Sequence, residues 1–310
     1  MHRAMTAMLA FVLLLATSPG SDAALQKHSK TKSHDASGAT PPPKEGPAFT
    51  TDPELMNGYR ALYEQDFPGA RAKFAAWSAA HPDEAFGQVS IAAGYLFDEF
   101  NRQGVLTSEF FMNDDKFLHG IEGQADPGRI KGFHDAIDKA RVLANAKLKA
   151  SPGDPNALFA LTLAAGMESD DFTIVEKKHL DGLKRMKEAN DYAKQLLTAH
   201  PEVIDVYVAP GSANYIIGCL SGTARFFLWF GGIKGDKKLG MAEVDKTAQN
   251  GRYLQGFAKI LLALSSRREK QNARAEILLK ELTEEFPASP LFAAEYAKVQ
   301  GRPVPAVMNP

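Results

Sequence analysis

Ala70-Arg-Ala-Lys-Phe74-Ala-Ala-Trp-Ser-Ala-Ala-His81-Pro82 decides the fold. A small residue is followed four positions later by an apolar one, and eight positions after that by proline. The same spacing returns at Ala140/Ala144/Pro152, Ala189/Ala193/Pro201 and Ala275/Leu279/Pro287. Residues four apart share a helix face, and a small residue there lets two helix backbones approach closely. The proline opens the next helix, where its missing N–H is no loss. Each copy therefore reads as the second helix of a helix–turn–helix unit.

Working outward, Asp52-Pro53-Glu54 is a helix start, with a cap, a proline and an acid in order. Leu55, Tyr59, Leu62 and Tyr63 follow at helical spacing, and Gly58 lies twelve residues before Ala70. A second first-helix runs over 83–102, but its partner, 130–149, is delayed by an insertion over 103–130. An insertion of that length is either functional or a packed extra turn. Asp154-Pro155-Asn156 opens the third unit, whose second helix is expected over 175–199. The fourth unit is expected to pair 203–220 with 236–250. Pro210-Gly211 should kink or delay its first helix, Gly240 and Val244 take the small and apolar roles, and Gly251 is placed as a C-cap. The fifth pairs 253–268 with 272–286, and 289–300 closes the array.

These units resemble the tetratricopeptide repeat, whose period of about 34 residues compares with the 35 between Gly240 and Ala275. The resemblance spans about 52–299. It implies an all-α protein: a right-handed, open superhelix of about five helix pairs with insertions and a C-terminal capping helix. It also implies a concave groove, lined by first helices, that binds a peptide or protein. Tyr59, Tyr63, Phe97, Asn214, Tyr215, Phe227 and Trp229 are the partner-binding candidates. Asn214-Tyr215, the run 231–236, Gly240 and 287–292 are further similar to exported bacterial repeat proteins distantly related to the mitochondrial Iml2-like family, which implies no reaction.

Composition adds limits. The 310 residues carry a net charge of −1, which leaves no overall electrostatic footprint for nucleic acid. His2 and Arg3, the apolar run 9–16, and Ser21 and Ala23 form a signal peptide over 1–23, so the expected location is the bacterial periplasm. Residues 24–51, rich in Lys, Ser, Thr, His and Pro, read as a flexible tether, and 301–310 as a frayed tail. The single cysteine, Cys219, is expected to be buried and inert.

Three candidate chemistries lack a complete motif. The glycine-rich, basic run 231–238 lacks the phosphate-loop order and follows no strand. Asp114, Asp115 and His119 lie close together in the insertion, but no further metal ligand is dictated by spacing. The nucleophile-elbow, zinc-protease and paired-cysteine motifs are missing. The expected function is thus a non-catalytic scaffold without cofactor or metal. The alternative is a membrane-associated or small-ligand-binding protein using the apolar 215–233 region with its aromatic run 226–230. The export reading predicts a mature chain beginning at Ala24 or within a few residues of it. N-terminal sequencing of the exported product checks this, and Met1 on that product would contradict it.

Overall fold

The computed structural model describes residues 44–219 and 235–304. Among these residues the protein is all-α, with thirteen α-helices. They are α1 (Pro53–Tyr63), α2 (Phe67–Ala80), α3 (Ala85–Arg102), α4 (Ser108–Met112), α5 (Asp114–His119), α6 (Pro127–Ala150) and α7 (Pro155–Asp170). Then follow α8 (His179–Ala199), α9 (Val208–Cys219), α10 (Lys237–Asn250), α11 (Gln255–Arg268), α12 (Asn272–Glu285) and α13 (Pro290–Val299). The helices pack as the pairs α1/α2, α3/α6, α7/α8, α9/α10 and α11/α12, with α13 on α12. The expected signal peptide, residues 24–43 of the expected tether and residues 305–310 lie outside the described residues, as does the 226–230 aromatic run.

Two caps act where the sequence places them. Asp52 accepts from the Glu54 and Leu55 N–H groups and Asp154 from Ala157; Asp236, expected as the first residue of its helix, caps that helix instead by accepting from Lys238 and Leu239. The small and apolar positions are interior: Ala70, Phe74, Ala140, Ala144, Ala189, Ala193 and Ala275 are all buried. A Cβ on Gly58 would stand 2.3 Å from the Phe74 ring, and one on Gly240 2.5 Å from the Tyr215 nitrogen. The α1/α2 and α9/α10 pairs therefore require glycine at these crossings.

Two helix starts differ from expectation, and one cap takes an unexpected conformation. Residues 171–175 form a π-helical turn, so α8 begins at His179 rather than 175. Pro210 delays rather than kinks its helix: a 3₁₀ turn over Ile204–Tyr207 precedes α9, which leaves Pro210 in the first turn. Gly251 is the C-cap of α10, as expected, its N–H donating to the Thr247 carbonyl, with an extended backbone (φ −67°) rather than a left-handed one. It is glycine for room, since a Cβ would stand 2.8 Å from Asp205 Oδ1.

The array is not open. In a solenoid each repeat touches only its neighbours, but here the first pair touches the last. The buried Tyr253 packs its ring 5.3 Å from Tyr59 and 5.1 Å from Phe86. Its hydroxyl accepts from the Asp52 N–H at 2.8 Å and donates to the Thr50 carbonyl at 3.0 Å. Tyr63 donates to the Tyr253 carbonyl at 2.8 Å, accepts from the Phe257 N–H at 3.2 Å, and packs its ring 4.9 Å from Phe286. The Leu291 N–H donates to Gln65 Oε1 at 3.0 Å. The end of the expected tether takes part as well. Asn156 accepts from the Ala48 N–H and donates to the Glu45 carbonyl, while Arg252 donates to the Ala48 carbonyl. Residues 44–51 are thus pinned across α7 and the α10–α11 turn.

Tyr253→Phe keeps the ring and deletes the hydroxyl, leaving the Asp52 N–H and Thr50 carbonyl without that partner. The expected cost is about 1–3 kcal/mol, read as a shift in the urea unfolding midpoint. An unchanged midpoint would mean that the first and last pairs are not joined through this hydroxyl.

Candidate functional site

The expected groove residues are occupied with internal contacts. Tyr59 is 3% exposed and shares a 3.0 Å hydrogen bond with Ser90. Tyr59 and Tyr63 lie together at a ring separation of 6.4 Å, in the seam between first and last pairs. Burial pushes both phenols well above their ordinary range. Phe97 is partly buried on α3 and meets Phe257 of α11 at 6.1 Å. Asn214 and Tyr215 form a separate group on α9. The Asn214 amide donates to Glu243 on α10 at 2.8 Å, and the Tyr215 hydroxyl donates to Glu269 at 3.4 Å. Cys219, near Tyr215, is partly buried rather than fully so. Phe227 and Trp229 lie outside the described residues. The inner face of the first two pairs is therefore filled by Tyr253, Phe257 and Phe286 and presents no open groove there.

The insertion is a packed substructure. Gly104 (φ +70°) turns the chain out of α3. Gly120 (φ +66°) seats it against the π-turn, where a Cβ would stand 2.1 Å from the Ile174 carbonyl. That carbonyl accepts from the Ile121 N–H at 2.9 Å. At the other end Glu295, on α13, accepts from the Ser108 N–H at 3.2 Å and pairs with Arg267 and Lys298. Lys298 also holds Glu109 at 2.9 Å. The insertion thus ties the α3/α6 pair to the C-terminal helices.

Between the insertion and the end of α3 lies a cleft of about 320 Å³. The buried side chains of Phe110 and Ile121 line it, with Arg102, Gln103, Thr107 and Lys116 as polar groups. Its organiser is Glu99, fully buried on α3. Glu99 accepts from Arg102 at 2.6 and 2.9 Å, from Gln103 at 3.0 Å and from the Asp126 N–H at 3.2 Å. Arg102 and Gln103 then both donate to the Gln124 carbonyl, at 2.7 and 2.9 Å. Burial pushes the Glu99 carboxyl up, but these donors outweigh it and hold it below its ordinary range. Sequence reading passed over Glu99. The available signal is an acid beside the apolar stripe of Leu96 and Phe100.

Across the Gly120–Ile174 contact sits a second group. His134 of α6 meets Asp171 of the π-turn, Nε2 to Oδ2, at 2.9 Å. With Glu176 they place one nitrogen and two carboxylate oxygens within 4.8 Å of one another. Asp171 is 2% exposed, and its Oδ1 has no hydrogen-bond partner. The acid–histidine group expected in the insertion is not assembled with it. His119 Nδ1 contacts the Asp115 carbonyl at 2.7 Å, and both side chains are exposed.

Glu99→Gln removes the charge that gathers Arg102, Gln103 and the end of the insertion. The expected loss is about 1.5–3 kcal/mol, as for hydrogen bonds to a charged group. Because the folded carboxyl titrates below the ordinary 4.5, its contribution is complete above that value. It is lost as pH falls through the lowered folded value. The gap between the unfolding midpoints of wild type and Glu99→Gln should therefore be full at pH 7 and narrow progressively as the pH is lowered below 4.5, and a gap that stays constant would contradict this assignment.

The chain matches no family model, no curated protein and no solved structure.

Proposed function

We propose that this chain is a non-catalytic, exported scaffold of tetratricopeptide type, a right-handed superhelical array that binds a peptide or protein partner in the bacterial periplasm. The paired helices and their small-residue crossings support the array reading. One observation carries the binding reading: the 320 Å³ cleft between α3 and the insertion. Its size falls in the range that accommodates one or two side chains of a partner. Phe110 and Ile121 supply apolar area, Arg102 and Lys116 donate, Gln103 and Thr107 both donate and accept, and Glu122 accepts at the rim. Mixed donors and acceptors around an apolar floor suit a peptide backbone with an apolar side chain better than a uniformly charged metabolite. The packing of Tyr253, Phe257 and Phe286 against Tyr59, Tyr63 and Phe97 supports a partner surface at the insertion rather than beside those first helices.

A second reading, shallow contact with a membrane surface, draws on the exposed Ile216 and Leu239, at 43% and 49%. They flank residues 220–234 in the sequence. Among the described residues no helix is long and apolar enough to cross a membrane.

A photo-crosslinking residue at position 116 should give a discrete adduct in exported material. One at the 68%-exposed Val142 on α6 should not. Thr107→Arg, which fills the cleft and gives up the hydroxyl's bond to the Gly104 carbonyl, should reduce the adduct at least tenfold in chain that remains folded, as read by its thermal midpoint. Equal adducts at 116 and 142, or an adduct indifferent to Thr107→Arg, would remove the cleft from the function.

A further inference from the structure

We infer that His134, Asp171 and Glu176 form a binding site for a divalent transition-metal ion of the zinc class. The geometry begins with the backbone. In a regular α-helix residues five apart diverge by about 140°, which would point residues 171 and 176 away from each other. The π-turn over Asp171–Val175 closes a bond from the Glu176 N–H to the Asp171 carbonyl at 3.0 Å, which draws the two acids to one side. Such π-turns inside helices recur at functional sites. His134, from α6, meets them there, 2.9 Å from Asp171.

The independent observation is Asp171 itself. It is 2% exposed, and one of its carboxylate oxygens, Oδ1, is buried with no donor. A buried carboxylate oxygen without a partner is costly, and a cation is the partner that satisfies it most fully. Ligand bonds of about 2.0–2.2 Å place the donor atoms of a tetrahedral ion roughly 3.3–3.6 Å apart. The three atoms, all within 4.8 Å of one another, reach that spacing with movements on the order of 1 Å. One imidazole with two carboxylates selects zinc-like ions over magnesium or calcium, which prefer oxygen alone. Two groups shape the competition. The Lys178 ammonium faces Glu176 Oε2 and has to yield that oxygen or share the residue. Glu168 is held by Arg141 and Arg185 and takes no part. An ion here would bolt α6 to the π-turn whose Ile174 carbonyl holds the insertion.

The test is calorimetric titration of the full chain with Zn²⁺, alongside its thermal midpoint. The expected result is one ion per chain and a raised midpoint. His134→Ala and Glu176→Ala should each weaken binding at least tenfold, and Lys178→Ala should tighten it. Both His134 and Glu176 are only partly buried, so these variants keep the test decisive even if Asp171→Asn fails to fold. A wild-type chain that takes up no Zn²⁺ at millimolar concentration overturns the inference. So does affinity unchanged by His134→Ala, or affinity abolished instead by replacing His28 and His34 of the tether or Cys219. Displacement of the ion by a thousandfold excess of Mg²⁺ would overturn the assignment to the zinc class.

Discussion

Tyr253 is the residue on which the two ends of this array depend. A phenol that is fully buried must find partners for its hydroxyl, because an unpaired polar group in the interior costs more than the bond itself returns. Tyr253 finds them in the backbone at the threshold of α1, more than 200 residues earlier in the chain. Its ring simultaneously packs against Tyr59 and Phe86. Ring packing alone would tolerate sliding; the hydroxyl pins the register. The neighbouring Asp205 carboxylate, also fully buried, fixes the turn that carries Tyr253 by accepting from the Arg252, Tyr253 and Leu254 N–H groups. Burial pushes this carboxyl up, while the N–H donors pull against that rise.

The same logic of buried acids governs the insertion. Glu99 collects its end and Glu295 collects its beginning, each by accepting from backbone N–H groups and from arginine or lysine. Such pairs contribute little net stability when replaced by apolar matches, but removing one partner leaves a stranded charge. Their use here is positional. They hold a segment with two short helices against α3, α11 and the π-turn, and so create a cleft that neither helix pair has by itself.

Tyr59, Tyr63 and Phe97, aromatics that a groove would expose, are consumed at the seam between the first and last pairs. The cleft and the His134–Asp171–Glu176 group lie on either side of one contact, Ile121 N–H to the Ile174 carbonyl at 2.9 Å. A change at either place bears on the backbone of the other.

Local chemistry was legible in the sequence. The capping aspartates before Pro53 and Pro155, the small residues at Ala70, Ala140, Ala189 and Ala275, and Gly58 against Phe74 all act through neighbours a few turns away. Helix positions and the pairing of consecutive helices follow from such short-range constraints, so periodicity alone determined them. The π-turn was not legible, because the helix ends directly after it and no apolar stripe follows to show the roughly 100° shift that one extra residue brings. Nor was the meeting of Tyr253 with Asp52, the capture of Ser108 by Glu295, or the union of His134 with Asp171 and Glu176. Those depend on how much each successive pair rotates and translates, which sums over the whole array and is written in no single stretch. Tertiary structure alone decided that the first and last pairs meet, that Tyr59 becomes core and Tyr63 joins the seam, and which acids face a histidine.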